Sequence, residues 1–254
     1  MPQDALPLLD EATALFLDVD GTLVDIAPKP DAVAVPPALL PVLRRLEGGL
    51  GGALALVSGR SLANLDALFA PLRLAAAGQH GAELRRCGEL PADALARDPA
   101  LDGLARRATD FAAARPGLLA EDKGLSLVIH YRQAPHRGEE VQRFAAQLLA
   151  DTETDLMLIP LHMGFELKPR AASKRSAIEW FMRAPPFLGR VPLFIGDDRT
   201  DEDGFAATLA LGGHAVRVGF EQSSIAPARI ADPRAVRAWL ATAADSLPSH
   251  HRSA

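Results

Sequence analysis

The stretch of the chain most able to do chemistry is LFLDVDGTLVD (15–25). Asp18 and Asp20 close an apolar run, with Val19 between them. On an extended backbone both carboxylates leave on one side, roughly 6–7 Å apart along the chain. Two carboxylates in one crevice repel unless a cation or a proton resolves the conflict. The pattern suits an ionised nucleophile or metal ligand beside a proton carrier. The plainer alternative is an Asp-Gly turn preceded by a solvated acid. An EF-hand is disfavoured because its later ligand spacing is missing.

Three further stretches place charge handlers where helices begin. In LVSGRS (56–61), Ser58 ends an apolar run, and the N–H groups after it would open a helix near Ser61, an anion site. Ser61 as an ordinary helix cap explains the same letters. In PRAASKRSAIEWF (169–181), a helix capped by Ser173 carries Lys174 and Arg175 in its first turn, where the macrodipole disfavours cations. A lysine aimed at a phosphate accounts for that exception; a solvated lysine is the alternative. In LFIGDDRTDEDGF (193–205), Asp197 and Asp198 follow a strand and precede a helix that Thr200 can cap. Asp201, Glu202 and Asp203 are accounted for by the helix N-terminus they complement. Asp197 and Asp198 are not, and with Asp18 they would make an all-oxygen site that favours Mg²⁺ over zinc.

Such residues act together only if strands end together. Apolar runs at 14–19, 53–57, 74–77, 191–195 and 215–218 read as buried strands. Helical spacing appears at 37–46, 62–69, 173–182, 200–209 and 233–243. The alternation predicts an α/β fold with a doubly wound parallel sheet, and in such a sheet ligands bind beyond the carboxyl ends of the strands. The middle differs: strands are predicted at 118–121, 125–131, 155–160 and 165–168, with helices near 101–114 and 139–149. Residues 83–168 therefore read as an inserted α+β module, and 1–82 with 169–254 as one core.

Composition narrows the chemistry. With 27 basic and 32 acidic residues the net charge is −5, so no general grip on nucleic acid or an anionic membrane is expected. An anionic substrate must then be held by a few local cations or a metal. One cysteine, Cys87, excludes an internal disulfide framework. The start of the chain has no basic region and no apolar run nears the ~20 residues of a membrane helix, so a cytoplasmic protein is expected.

Taken in order, DVDGT, Ser58, Lys174 and GDD resemble the haloacid dehalogenase superfamily of phosphotransferases. GQHGAELR (78–85), EDKGLSLVIHYRQAP (121–135), FELKPR (165–170) and GDDRTDEDGF (196–205) are further similar to stretches of the bacterial trehalose-6-phosphate phosphatases. The resemblance implies that Asp18 attacks phosphorus. It makes Asp20 the group that protonates the departing sugar oxygen and then takes a proton from water, with a carboxylate neighbour expected to help it keep that proton. It implies Mg²⁺ held by Asp18, the backbone carbonyl of Asp20 and Asp197, with Asp198 orienting the metal's surroundings. Ser58 and Lys174 would hold phosphoryl oxygens, with Gly21 and Thr22 contributing from the loop after the nucleophile. The insertion becomes a mobile cap over the sugar. Its Glu121, Lys123 and Glu166 are expected at the glucose hydroxyls, with Gln79, His80, Arg132 and Lys168 as further substrate contacts. His130 and His162 are expected to be structural, and His250 and His251 to belong to a frayed tail. Arg175 departs from the small residue expected after the lysine. Trehalose 6-phosphate is the implied substrate of a monomer, and a trehalose-phosphate synthase is the implied candidate partner. The alternatives are the same chemistry on another sugar phosphate, or a non-catalytic sugar-phosphate sensor.

Overall fold

The computed structural model describes residues 6–26, 33–87, 93–161, 163–220 and 223–248. His162, His250 and His251 lie outside them. In chain order the elements are β1 (Thr13–Leu17), α1 (Leu39–Gly49), β2 (Leu54–Val57), α2 (Leu62–Leu68), β3 (Ala75–Gly78), β4 (Glu83–Arg85), β5 (Asp93–Ala94), α3 (Leu101–Ala113), β6 (Leu119–Asp122) and β7 (Leu127–His130). They continue as α4 (Gly138–Ala150), β8 (Leu156–Leu161), β9 (Gly164–Pro169), α5 (Lys174–Met182), β10 (Val191–Gly196), α6 (Glu202–Ala210), β11 (His214–Val218), β12 (Ala228–Ile230) and α7 (Pro233–Ser246).

The chain divides into two compact units, Met1–Asp93 with Ser173–Ala254, and Ala94–Ala172. The first holds a sheet of order β12-β11-β10-β1-β2-β3-β4-β5. Its strands from β12 to β3 run parallel, and β4 pairs antiparallel to β3. Both faces of this sheet are covered. Leu15 and Leu17 of β1 join a core with α1, α2 and α7, while Ala14 and Phe16 join a core with α5 and α6. That is why β1 is apolar throughout rather than alternating. On the second face, small residues at Ala53, Ala55, Ala75 and Ala77 leave room for Phe16, Phe181, Phe187 and Phe194. The Phe16 and Phe187 rings stack with centroids 5.4 Å apart.

The chain winds outward from β1 in one direction through β2 and β3, and in the other through β10, β11 and β12. The order therefore reverses at the centre of the sheet, beside the ends of β1 and β10, where open α/β sheets form their ligand crevice.

The second unit carries a sheet of order β6-β7-β9-β8, antiparallel throughout. Leu127, Ile129, Phe165 and Leu167 pack with α3 and α4 on one face. The boundary differs from the expected one. Glu83–Arg85 forms β4 of the first unit's sheet, and the second unit begins at Ala94 rather than at residue 83. Glu83 and Arg85 look like loop residues, but each has a partner in the core. The Glu83 carboxylate accepts the Leu62 N–H at 2.7 Å, and the buried Arg85 holds Asp66 at 2.6 Å and the Leu74 carbonyl.

Candidate active site

Asp18 stands one residue beyond β1 and is buried. Its Oδ1 accepts Lys174 Nζ at 2.6 Å, and the same ammonium reaches Asp201 Oδ1 at 2.5 Å. Lys174 opens α5, whose N-terminus is closed by reciprocal hydrogen bonds between Ser173 and Ser176. Here a cation in a helix's first turn is compensated by two buried carboxylates rather than by solvent. Arg175, on the same turn, turns away to Glu179 at 3.7 Å.

Asp197 stands one residue beyond β10, and Thr22 Oγ1 donates to its Oδ1 at 3.1 Å. Asp18, Asp197 and Asp201 each offer an oxygen within 4.8 Å of the others. Two carboxylates bind one ammonium and a third, the half-buried Asp197, stands beside them, which leaves excess negative charge. Burial pushes the Asp18 carboxyl well above its ordinary range, against the pull of Lys174, and Asp201 and Asp197 push it further. Burial and then Asp201 push Asp197 up to about 6. Burial would lower the Lys174 ammonium, but Asp18 and Asp201 outweigh it and hold it above its ordinary value.

Gly21 sets how closely Asp197 can approach. Its φ is +82°, and a Cβ there would lie 2.1 Å from Asp197 Oδ2. A side chain would occupy the space into which the carboxylate projects. This all-oxygen cluster fits a hard divalent cation.

Asp20 differs from the expectation. Its neighbour is a cation: Arg60 grips both carboxylate oxygens, Nε to Oδ2 at 2.7 Å and Nη2 to Oδ1 at 2.6 Å. The conflict between Asp18 and Asp20 is thus resolved by giving each its own partner. Asp198 also departs from its expected place: its Oδ1 accepts the Arg199 N–H at 2.7 Å, capping the short turn that leads into α6. Asp201 takes the place in the carboxylate cluster.

Ser58, buried after β2, accepts the Arg60 N–H on its Oγ at 3.2 Å, while Ser61 caps α2. Gln79 and His80 follow β3, buried, with φ of 46° and 58°. Their N–H groups donate to the Arg60 and Ser58 carbonyls at 2.8 and 2.9 Å, so they brace the Ser58 loop. Left-handed backbone at two consecutive non-glycine residues costs energy that only surrounding structure can hold.

The second unit collects the remaining residues on one face of its sheet. Glu121 faces Val128, and Val128 faces Glu166, across three strands. Directly opposed residues share a face, and His130 and Lys168 lie two residues along from Val128 and Glu166. Glu166 is fully buried and accepts the Ser126 hydroxyl at 2.7 Å, with Lys123 Nζ 3.9 Å away. His130 Nε2 lies 2.8 Å from Glu121 Oε2 on this face, a contact that satisfies the ring as expected of a structural histidine. That hydrogen bond holds the Glu121 carboxyl below its ordinary range. Lys168 is buried and donates to the Ala172 carbonyl. Arg132 is half-buried just beyond β7.

Asp201 and Arg60 are the residues that sequence reasoning passed over. Asp201 had a sufficient explanation as a helix N-terminal acid, and only its burial against Lys174 separates it from Glu202 and Asp203. Arg60 sits inside the LVSGRS motif but follows the position of interest.

An aspartate just beyond the central strand, a lysine-tipped helix and a cluster of three carboxylates on a doubly wound sheet define a haloacid dehalogenase-type phosphotransfer core. Residues 16–233 match the family model described as Trehalose-phosphatase, and the chain belongs to that family. It is 41% identical over 245 residues to the trehalose-6-phosphate phosphatase of Escherichia coli K12, covering 94% of this chain and 89% of that one. It is 43% identical over 206 residues to a probable trehalose-phosphate phosphatase of Sinorhizobium fredii, covering 81% and 77%. Among solved structures, the C-terminal domain of the Candida albicans trehalose-6-phosphate phosphatase shares the fold with a TM-score of 0.80 at 21% identity, covering 93% of each chain. A trehalose-6-phosphate phosphatase related protein shares it at 0.75 and 23% identity, covering 91% and 96%. Membership implies a divalent cation, and the acidic cluster supplies donors for one. Among the described residues no helix is long and apolar enough to cross a membrane.

Proposed function

We propose that this chain hydrolyses trehalose 6-phosphate to trehalose and phosphate through an aspartyl-phosphate on Asp18. The observation that carries the reading is Lys174, which opens α5 and binds the buried Asp18 carboxylate at 2.6 Å beyond the central strand. The ammonium holds an Asp18 oxygen in place and supplies positive charge where phosphoryl oxygens would gather. Ser58, at the end of the neighbouring strand, adds a hydroxyl for those oxygens.

Splitting hydrolysis at a covalent intermediate makes one hard step into two easier ones. In the first, an Asp18 oxygen bonds to phosphorus, the bond to the sugar oxygen breaks, and protonated Asp20 gives that oxygen its proton. In the second, water bonds to phosphorus, Asp20 takes the water's proton, and Asp18 leaves as a carboxylate. Asp18, Asp197 and the Asp20 carbonyl would hold Mg²⁺, with Asp201 holding Lys174 and completing the acidic cluster. When bound, the ion neutralises phosphoryl charge and the excess negative charge of the cluster.

The charged face of the second unit would recognise the sugar. Glu121, Lys123 and Glu166 offer acceptors and a donor suited to glucose hydroxyls, and such groups penalise a substrate that leaves them without partners. Arg132 and Lys168 are further contacts of that kind, as are Gln79 and His80 from the first unit.

Phosphate release in Mg²⁺ from trehalose 6-phosphate, sucrose 6-phosphate, glucose 6-phosphate and an aryl phosphate tests the proposal. A strong preference for the first is expected. Comparable turnover of all the sugars would discard the specificity and keep the chemistry. Binding without release would leave a sensor.

A further inference from the structure

The geometry points to Arg60 as the positioning residue of the proton-transfer group Asp20. This rests on the role given to Asp20 above. The guanidinium meets the carboxylate as a fork, through two hydrogen bonds of 2.7 and 2.6 Å. A planar fork fixes the plane and direction of a carboxylate as a single point charge cannot. Arg60 is itself anchored at both ends. Its Nη1 donates to Asn64 Oδ1 at 2.7 Å, its backbone N–H to Ser58 Oγ at 3.2 Å, and its carbonyl accepts the Gln79 N–H at 2.8 Å. The side chain is only 12% exposed, against 38% for Asp20. One loop therefore carries both the hydroxyl assigned to the phosphoryl group and the cation that aims the proton carrier.

The chemistry uses this arrangement at a definite point. When Asp20 passes its proton to the sugar oxygen in the first step it becomes a carboxylate, and the fork receives that charge. A carboxylate held on two of its lone-pair directions keeps others free. Through one of these it accepts the proton of the water that attacks phosphorus in the second step. Arg60 touches neither phosphorus nor sugar in this scheme and acts only through Asp20.

A double-mutant cycle tests the inference, with the Mg²⁺-loaded full chain and trehalose 6-phosphate. Arg60→Gln is expected to lower kcat by about 10- to 100-fold, a fraction of the effect of a general acid–base group, while KM stays within about threefold. In an Asp20→Asn background the same change should cost less than about threefold, because the group it aims is gone. Arg60→Lys, which keeps the charge but not the fork, should fall between wild type and Arg60→Gln and confirms folding by an unchanged melting curve. Multiplying losses in the double variant, or a raised KM with kcat intact, would overturn the inference and make Arg60 a substrate ligand. Near wild-type kcat in Asp20→Asn alone would instead remove the role of Asp20, whatever Arg60 does.

Discussion

Asp18 pairs with a cation yet keeps a raised carboxyl, and that combination decides what its replacement does. Asp18→Asn removes the carboxylate assigned to attack phosphorus, so turnover should fall by at least about 1000-fold. The amide also carries no charge against Asp197 and Asp201, so the melting temperature should hold or rise. Activity near wild type would exclude Asp18 as nucleophile. Asp197 gives a pH prediction at the same scale. Its carboxyl moves from 3.8 to about 6 on folding, so the folded chain binds the proton more tightly than the unfolded one. That contribution to stability is therefore lost as pH rises from 3.8 through about 6 and stays lost above. A divalent cation removes the repulsion only where Asp197 is ionised. Added Mg²⁺ should thus raise the melting temperature more at about pH 7.5 than at about pH 5 by differential scanning fluorimetry. Equal increments at both would show that Asp197 is not a ligand.

At the level of elements, the buried strands and their flanking helices were legible because two faces of burial leave continuous apolar runs. β1 reads as TALFL and every residue is buried. β4 was not legible: Glu83–Arg85 is polar at both ends, and its place in the sheet depends on the Leu62 N–H and on Asp66, contacts that no local pattern announces. The same blindness covers the site. DVDGT and GDD declare where carboxylates stand, whereas the Asp20–Arg60 fork and the burial of Asp201 depend on which loops meet. The turn after β1 shows how an element enforces the site. Gly21 donates its N–H to the Val24 carbonyl at 2.8 Å, at a φ of +82° that an L side chain resists. Gly21→Ala should therefore displace Asp197 as well as strain the turn. Mg²⁺ affinity by titration calorimetry is expected to drop by about tenfold or more, with a loss of about 1–3 kcal/mol in folding stability. Undiminished affinity would mean that the carboxylate position does not depend on the turn.

The whole molecule separates its two charged clusters along the chain. The first unit, built from both flanks, contains the carboxylate cluster, Lys174 and Ser58, while Ala94–Ala172 contains its own core and the charged face with Glu121 and Glu166. Chemistry on the phosphoryl group and recognition of the sugar should then respond to different substitutions. Glu166 is the informative residue because it is fully buried on the sheet face opposite the helices, where packing alone would favour an apolar side chain. Glu166→Ala removes an acceptor for sugar hydroxyls, whereas an aryl phosphate presents none. Loss of kcat/KM on trehalose 6-phosphate should exceed the loss on p-nitrophenyl phosphate by about 10- to 100-fold, the scale of a hydrogen bond to a charged group. Glu166→Gln keeps an oxygen for the Ser126 hydroxyl, so the unit should stay folded and the preference should fall part of the way. Equal losses on both substrates would mean that Glu166 serves the fold of its unit, and the recognition of the sugar would have to be sought in Glu121 and Lys123 without it.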